Sequence, residues 1–184
     1  MDKKIVKIGI VIGAMLGMTV VAYAMTQLFA TRSVTSNLSK KTIFEIVLNE
    51  DLQPAQIGPG ESFTVSPSVT NDATEDMYVF IKVEAPEYNT DSLYTYTVDG
   101  SWTLVEDNAG IKVYAYGDDT MLTLSPGDTT TALTDQMTMK NITNAEYSAY
   151  TDINVTITGY AIGTDGVSTD PATAWSDCKV IGGL

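Results

Sequence analysis

Apolar side chains recur at every second position in several stretches beyond residue 40, and polar residues fill the positions between them. This period of two is typical of a β-strand with one buried face. Residues 111–116 alternate well, and residues 77–84 form the most strand-like stretch. Other runs rich in β-branched and aromatic residues predict further strands. These runs cover residues 43–48, 62–66, 68–70, 93–98, 102–105, 129–139 and 153–162, with a short last strand around Trp175.

The order of these runs predicts an all-β fold. Helical periodicity is nearly absent, and only residues 144–150 are compatible with a helical turn. About eight short strands at a spacing of about ten residues, with no helices between them, favour antiparallel pairing in a sandwich or a barrel. Asp99-Gly100-Ser101 predicts a hairpin between the strands at 93–98 and 102–105.

The same spacing identifies the inward-facing positions of the predicted strands. They hold aliphatic residues and one Phe, and their burial has to stabilise the fold because a single Cys cannot form an internal disulfide. The predicted core residues are Phe44, Val47, Val65, Val69, Val79, Ile81, Val83, Val113, Val155, Ile157 and Ala161. Trp102 and Trp175 are predicted to pack in the core or at the sheet ends rather than to stack on a ligand.

The first thirty residues differ from the rest of the chain. Three Lys within the first seven positions precede 23 uncharged residues at 8–30, a pattern typical of an export signal. Ala22 and Ala24 are the small residues that a signal peptidase requires, so cleavage is predicted before Met25. The same stretch is long enough to span a bilayer, and a retained anchor helix is therefore the alternative. In both cases the remainder of the chain is expected outside the cytoplasm.

Composition removes several classes of function. The chain of 184 residues contains 23 Asp and Glu against 10 Lys and Arg, a formal charge of −13. A nucleic-acid partner is not expected, because nucleic-acid binding needs a basic surface. The absence of His excludes Ser-His-Asp triads, His-paired Cys nucleophiles and imidazole metal ligands. We therefore predict no catalytic residue and no cofactor, and we do not expect an enzyme.

Acidic residues in turns are the remaining candidates for a metal site. Asp118 and Asp119 could bind Ca²⁺ through their carboxylates, but they lack EF-hand spacing and turn Asp residues more often bond nearby backbone. The other turn acids of this kind are Asp72, Glu75, Asp76, Asp165 and Asp170. Cys178 could be reactive or could link two chains, yet a lone Cys is more often a small buried apolar residue, which is the prediction here.

Short motifs recur in an order that resembles a known family. After the export signal come Phe29 and Asn37, the strand TIFEIVLNE, and then IGPGE, VTN and MYVFIKV. GSWTL, VYAY and LSPGDTT follow, and GYAIGTDG and ATAW lie near the end. This order resembles the TasA/camelysin-like family of exported bacterial proteins, whose signals are cut by a SipW-type signal peptidase. The resemblance covers nearly the whole chain.

The resemblance implies a jelly-roll-like β-sandwich exported to the cell surface or a biofilm matrix. The chain is then divided into a signal peptide or anchor at 1–30, an extended arm at 31–40 and a sandwich domain at 41–184. The best-known members form fibres in which the N-terminal segment of one subunit completes the sheet of the next. The family also carries a metallopeptidase label, which we do not transfer because the chain has no His.

The arm provides a physical route to such assembly. Leu28, Phe29, Thr31, Val34 and Asn37 belong to a stretch that could add a strand to an open sheet edge of a neighbour. Head-to-tail addition does not close and therefore produces filaments. The expected partners are other copies of this chain or a related matrix protein, besides the signal peptidase, with membrane contact only through the N-terminal segment. The alternatives are an arm that folds back on its own subunit and a monomeric extracellular module that binds a carbohydrate, a protein or calcium.

Overall fold

The computed structural model describes residues 29–34, 46–49 and 57–184. Within these residues the secondary structure is mostly β, in antiparallel sheets, which confirms the all-β prediction. The strands are β1 (Phe29–Val34), β2 (Ile46–Asn49), β3 (Ser62–Thr64), β4 (Ser68–Asn71), β5 (Met77–Glu84), β6 (Glu87–Tyr88), β7 (Asp91–Ser92), β8 (Tyr94–Tyr96), β9 (Trp102–Asn108), β10 (Ile111–Tyr116), β11 (Gln136–Met139) and β12 (Thr156–Gly163). The helices are α1 (Asn144–Tyr147) and α2 (Pro171–Gly182).

A five-stranded sheet forms the centre of the protein, with the strand order β1-β12-β5-β10-β9. All neighbours in this sheet are antiparallel. The eight residues of β5 pair with the eight of β12, from Met77 opposite Gly163 to Glu84 opposite Thr156. β1 and β9 are therefore the two edges of the sheet.

The second layer contains a three-stranded sheet, β3-β11-β8, and the pair β2-β4. Residues 127–139 run antiparallel to 60–71 and connect the two: Gly60 donates to the Met139 carbonyl at one end, and Asn71 donates to the Asp128 carbonyl at the other. Residues of the strand predicted at 129–139 therefore lie beside a neighbouring segment, but they form a regular strand only in β11. In this layer β2 and β8 lie at opposite edges.

The core lies between the two layers. Strands β5 and β12 contribute one face of side chains, and the second layer contributes the opposing face. Its fully buried members include Val65, Val69, Val79, Ile81, Leu93, Leu133, Met137, Met139, Ile157 and Ala161. Burial of each large side chain contributes about 1.5–3 kcal/mol. Trp102 belongs to this core, as predicted; Phe44 lies outside the described residues, and the side chain of Val47 is likewise not described.

Helix α2 covers the outer face of the five-stranded sheet and corrects the strand predicted around Trp175. Asp170 caps the helix by accepting a hydrogen bond from the Thr173 backbone N–H, and Pro171 suits the first turn. Trp175 packs against the rings of Phe80 and Tyr160, with centroid distances of 5.2 and 5.3 Å. Trp175 is thus a packing residue, as predicted, but on a helix.

Two further sequence predictions are wrong. Asp99-Gly100-Ser101 does not join a hairpin, because β8 pairs with β11 while β9 pairs with β10, so this turn carries the chain from one layer to the other. Val113 is fully buried, but it faces the helix side of the sheet rather than the core between the layers. Both errors concern which strands become neighbours. The local alternation of apolar and polar residues does not contain that information.

β9 and β10 are instead joined by a hairpin through Ala109 and Gly110. Ala109 adopts φ 42°, in the left-handed region that favours glycine. Gly110 is required for a different reason, since a Cβ at this position would lie 2.1 Å from the Ala85 carbonyl oxygen. The Gly110 carbonyl also accepts a hydrogen bond from Ala85, which ties the hairpin to the end of β5.

Asn71 is a fully buried polar residue that holds three segments together. Its side-chain amide donates to the carbonyl oxygens of Glu75 and Leu124, both at 2.8 Å. Its Oδ1 accepts from the Ala73 backbone N–H at 2.9 Å. The side chain therefore satisfies the Ala73 N–H and the Glu75 carbonyl, and it adds a second hydrogen bond to the Leu124 carbonyl, which also accepts from the Met77 N–H.

Asn71→Ala is expected to lower the free energy of unfolding by about 1–3 kcal/mol, because the Ala73 N–H and the Glu75 carbonyl lose their hydrogen-bond partner and the Leu124 carbonyl keeps only the bond from Met77. Urea denaturation followed by tryptophan fluorescence measures this change. The neighbouring exposed residue Asp72 provides the control, since Asp72→Ala should change stability by less than about 0.5 kcal/mol. Equal effects of the two substitutions would contradict this role of Asn71.

Glu106 on β9 fastens helix α2 to the sheet. One carboxylate oxygen, Oε2, accepts from the Trp175 indole N–H at 2.7 Å and from the Lys179 ammonium at 2.9 Å. The hydrogen bond from Lys179, followed by that from Trp175, lowers the pKa of Glu106 below its ordinary value of 4.5. The ionised carboxylate is therefore favoured in the folded state.

Because the folded-state pKa is lowered, Glu106 stabilises the fold above about pH 4.5, and this contribution is lost as pH falls through the folded-state pKa. We expect Glu106→Gln to reduce the free energy of unfolding near neutral pH, with a difference from the unmodified protein that shrinks below about pH 4. Denaturant titrations at a series of pH values measure this. Glu75→Gln, at an exposed loop residue, is the control; a Glu106→Gln deficit that stays constant across the series would show that the charge plays no part.

Candidate functional site

The candidate strand for an interaction between subunits is β1. It occupies one edge of the five-stranded sheet, and its sheet neighbour is β12. The pairing is antiparallel over six residues, from Phe29 opposite Ile162 to Val34 opposite Ile157. β1 also approaches β2 and α2. Without β1, the outer main-chain groups of β12 would lose their pairing partners.

β12 itself is fitted closely to the second layer. Seven of its eight residues are buried. At Gly159, which is opposite Arg32 in β1, a Cβ would lie 3.6 Å from Cδ1 of Leu48 and 3.7 Å from Cγ2 of Val69. A Cβ at this position would therefore make ordinary van der Waals contact with β2 and β4, which lie against β12 at the position where β1 pairs with it.

The predicted arm overlaps this edge strand. Phe29, Thr31 and Val34 all lie in β1, so in this structure that part of the arm pairs with its own subunit, which is one of the two arrangements left open by the sequence. β1 begins before residue 31, and cleavage before Met25 would leave the whole strand on the exported chain. The other predicted residues of the signal and arm, Ala22, Ala24, Met25, Leu28 and Asn37, lie outside the described residues.

A wide groove of about 690 Å³ lies along β8, which is the edge strand of the second layer opposite to β2. The β8–β11 ladder is regular as far as Tyr96 opposite Met137, and the next main-chain bond joins the Asp99 N–H to the Leu133 carbonyl at 2.9 Å. Thr97 and Val98 lie between these points. The groove is thus located where the ladder is interrupted.

We call this the threonine groove because hydroxyl side chains predominate in its lining. The polar lining residues are Thr95, Thr97, Asp99, Thr131, Thr134, Asp135, Gln136 and Thr138. Asp99 accepts hydrogen bonds from the Ser101 backbone N–H at 3.0 Å and from the Thr131 hydroxyl at 3.1 Å. These bonds, with the Ser101 contribution largest, lower the pKa of Asp99. The groove therefore contains a fixed, ionised acceptor among neutral hydroxyls.

Sequence reasoning missed the threonine groove, although a signal was present. In three strands, an inward-facing residue has one uncharged polar residue on each side. The segments are SFT at 62–64, TYT at 95–97 and QMT at 136–138. Such alternation predicts an uncharged polar outer face. What it cannot predict is that these three strands become neighbours.

The lysines between residues 57 and 184 are all engaged in ion pairs. Lys82 pairs with Glu84 and Lys179 with Glu106, while Lys112 and Lys140 both contact Asp91, at 3.4 and 2.9 Å. Lys112 also binds Asp107 at 2.8 Å. This stretch contains 19 Asp and Glu but only four Lys. The remaining charge on its surface is therefore negative.

The candidate calcium ligands are exposed residues of turns and loops. Asp118 and Asp119 are exposed residues of the loop after β10, and the Asp118 carbonyl accepts from the Thr103 hydroxyl at 3.0 Å. Asp170 is engaged as the cap of α2. Among the described residues, no group of three or more His, Cys, Asp or Glu side chains is placed to hold a metal ion.

Cys178 and two tyrosines are buried polar groups without access to a ligand. Cys178 lies on the buried side of α2 and is fully buried, as predicted. Burial raises the pKa of its thiol to about 12. The Tyr114 hydroxyl donates to the Tyr96 hydroxyl at 3.0 Å. Burial raises the pKa of both tyrosines. These groups stay neutral at physiological pH and serve packing.

Over residues 29–34, 46–49 and 57–184, the structure contains no helix whose length and apolar character would allow it to cross a membrane. Comparisons of the chain with protein-family models, with curated proteins and with solved structures find no match.

Proposed function

We propose that this chain is an exported structural protein of the TasA/camelysin-like kind, with a jelly-roll-like sandwich, that self-associates at the cell surface or in a biofilm matrix. Its partners are further copies of itself or a related matrix protein, and its role is not catalytic. In this proposal, β1 occupies its own subunit in the monomer and the equivalent position of the next subunit in the fibre. The supporting observation is the place of β1, a near-terminal strand at a sheet edge that pairs with β12.

Exchange of β1 conserves the contacts that the monomer makes. The six-residue pairing with β12 is the same whether β1 comes from its own chain or from a neighbour. Eleven residues separate Val34 from Ile46, and a chain of that length can reach about 36–40 Å when fully extended. Concentration therefore decides between the two arrangements, and the head-to-tail contact propagates as a filament because it does not close.

The connection pattern favours the release of β1 over that of any other strand in the sheet. On its C-terminal side, β1 is joined to the described fold only through the segment that leads to β2. An inner strand such as β5 or β12 has two sheet neighbours and is linked to described elements at both ends. β1 can leave by breaking one ladder together with its packing against β2 and α2.

A disulfide between β1 and β12 tests this proposal. Ser33 lies opposite Thr158 in the register, and directly opposite residues of an antiparallel pair have Cα atoms within the range that a disulfide bridges. When Ser33→Cys/Thr158→Cys is oxidised as a monomer, β1 is locked to its own subunit, and we expect no fibres by negative-stain microscopy. The reduced form of the same protein should assemble like the unmodified chain.

The same variant identifies the donor of β1 within a fibre. Oxidation after assembly should give covalent multimers in a denaturing gel, because the two introduced thiols would then form disulfides between neighbouring subunits. The single variant Ser33→Cys provides the control for other cross-links, since Cys178 is buried. Fibres that contain only intramolecular disulfides, or a locked monomer that still assembles, would refute strand exchange.

Assembly should also depend on salt. The described stretch 57–184 has a large excess of acidic residues, so two subunits repel one another until the charge is screened. We expect an increase in NaCl from about 0.01 to about 0.5 M to accelerate fibre growth, since the Debye length falls from about 30 Å to a few Å. Light scattering measures the rate, with the oxidised locked variant as the control. Slower growth at high salt would mean that attraction between charges drives assembly instead.

A further inference from the structure

We propose that the threonine groove binds a neutral glycan chain. The site is assembled from β8, β11 and residues 131–135, and none of these segments pairs with β1. β1 approaches β2, at the other edge of the second layer. The glycan site and the strand-exchange surface are therefore separate parts of the molecule.

The chemistry of the lining selects a ligand that is rich in hydroxyl groups. The Thr97 hydroxyl and the Gln136 amide are exposed and can each donate and accept, as sugar hydroxyls do. The hydroxyls of Thr95 and Thr131 donate within the protein and keep their acceptor capacity. Asp99 adds an acceptor whose orientation is fixed by Ser101 and Thr131. A carboxylate that accepts from ligand hydroxyls forms charge-assisted hydrogen bonds, which are stronger than neutral ones.

The residues between the outward-facing ones border the groove from the core side. Tyr96 and Val98 are half-buried and pack against the core between the layers. The ring of Tyr96 packs against that of Tyr114 with a centroid distance of 6.1 Å, and its hydroxyl accepts a hydrogen bond from Tyr114, so the groove offers a ligand mainly polar contacts. A volume of about 690 Å³ lies in the range of ligand-binding clefts and accommodates a short glycan segment rather than a single ion.

Charge and desolvation disfavour two ligand classes. The lining contains Asp99 and Asp135 but no Lys or Arg, so phosphates, sulfates and uronic acids would be repelled. An apolar ligand would remove polar groups from water without replacing their hydrogen bonds, which is unfavourable. A neutral, hydroxylated polymer avoids both penalties.

The test compares neutral and anionic glycans on the same protein. The exported chain is titrated by calorimetry and by affinity electrophoresis with dextran, a cello-oligosaccharide and a chito-oligosaccharide, with polygalacturonate as the anionic probe. We expect at least one neutral glycan to bind and polygalacturonate not to bind. Failure of all three neutral probes at millimolar concentration, or equal binding of polygalacturonate, would overturn the proposal.

Substitutions then locate the site. Thr97→Val/Gln136→Ala removes a hydroxyl and an amide from exposed positions, and we expect glycan affinity to fall at least about tenfold, as the loss of two hydrogen bonds implies. Thr123→Val, at an exposed threonine outside the groove, should bind like the unmodified protein. Unchanged affinity of the double variant would place binding elsewhere and overturn the proposal.

The outcome is independent of strand exchange. The double variant should retain the thermal midpoint and the fibre growth of the unmodified chain, because both residues lie in the groove, away from the β1–β12 ladder. A variant that loses glycan binding yet assembles normally supports the groove by itself. Conversely, a chain that never forms fibres can still bind the neutral glycans, so failure of one proposal does not imply failure of the other.

Discussion

The pairing of β5 with β12 is the contact on which both layers of this protein are built. One face of the pair carries Val79, Ile81 and Ile157 into the core between the layers, and the other carries Phe80 and Tyr160 beneath α2. A strand pair that is covered on both faces is apolar at consecutive positions rather than at alternate ones. This explains the long apolar run in β5 and the near-complete burial of β12. The remaining strands extend this pair or pack against it.

Because β5 and β12 form the centre of the sheet, β1 and β9 form its edges. The proposed function relies on the edge formed by β1. β10 and β9 extend the sheet beyond β5, while β1 alone extends it beyond β12. β12 is close to the C-terminal end of the chain and β1 close to the N-terminal end, so the last ladder joins two distant parts of the sequence. The entropic cost of closing such a ladder within one chain grows only slowly with the length of the chain between the two strands. A second chain can supply the same strand, which makes this edge the natural place for exchange.

The sequence predicts where the strands lie along the chain better than it predicts which strands pair with one another. β5 and β10 are found at the predicted positions, because their apolar patterns come from local strand geometry. The predicted hairpin at Asp99 and the predicted orientation of Val113 are wrong because both depend on which layer receives β8 and β9. Helix α2 was missed because its helical face is short: the buried residues Pro171, Ala174, Trp175 and Cys178 follow the i, i+3, i+4, i+7 spacing over only about two turns. Its boundary signals were nevertheless present, in Asp170 and the adjoining Pro at the start and Gly183 at the end.

The acidic surface and the threonine groove have different consequences for a fibre. Strand exchange relies on main-chain hydrogen bonds, which are indifferent to side-chain charge, whereas lateral contact between filaments would bring two acidic surfaces together. Repulsion therefore opposes bundling more than it opposes growth at the ends. The groove lies away from β1, so each subunit in such a filament would present one copy at a regular interval. Weak individual contacts to a long neutral glycan would then add up along the filament, and avidity would arise from assembly without any tighter site.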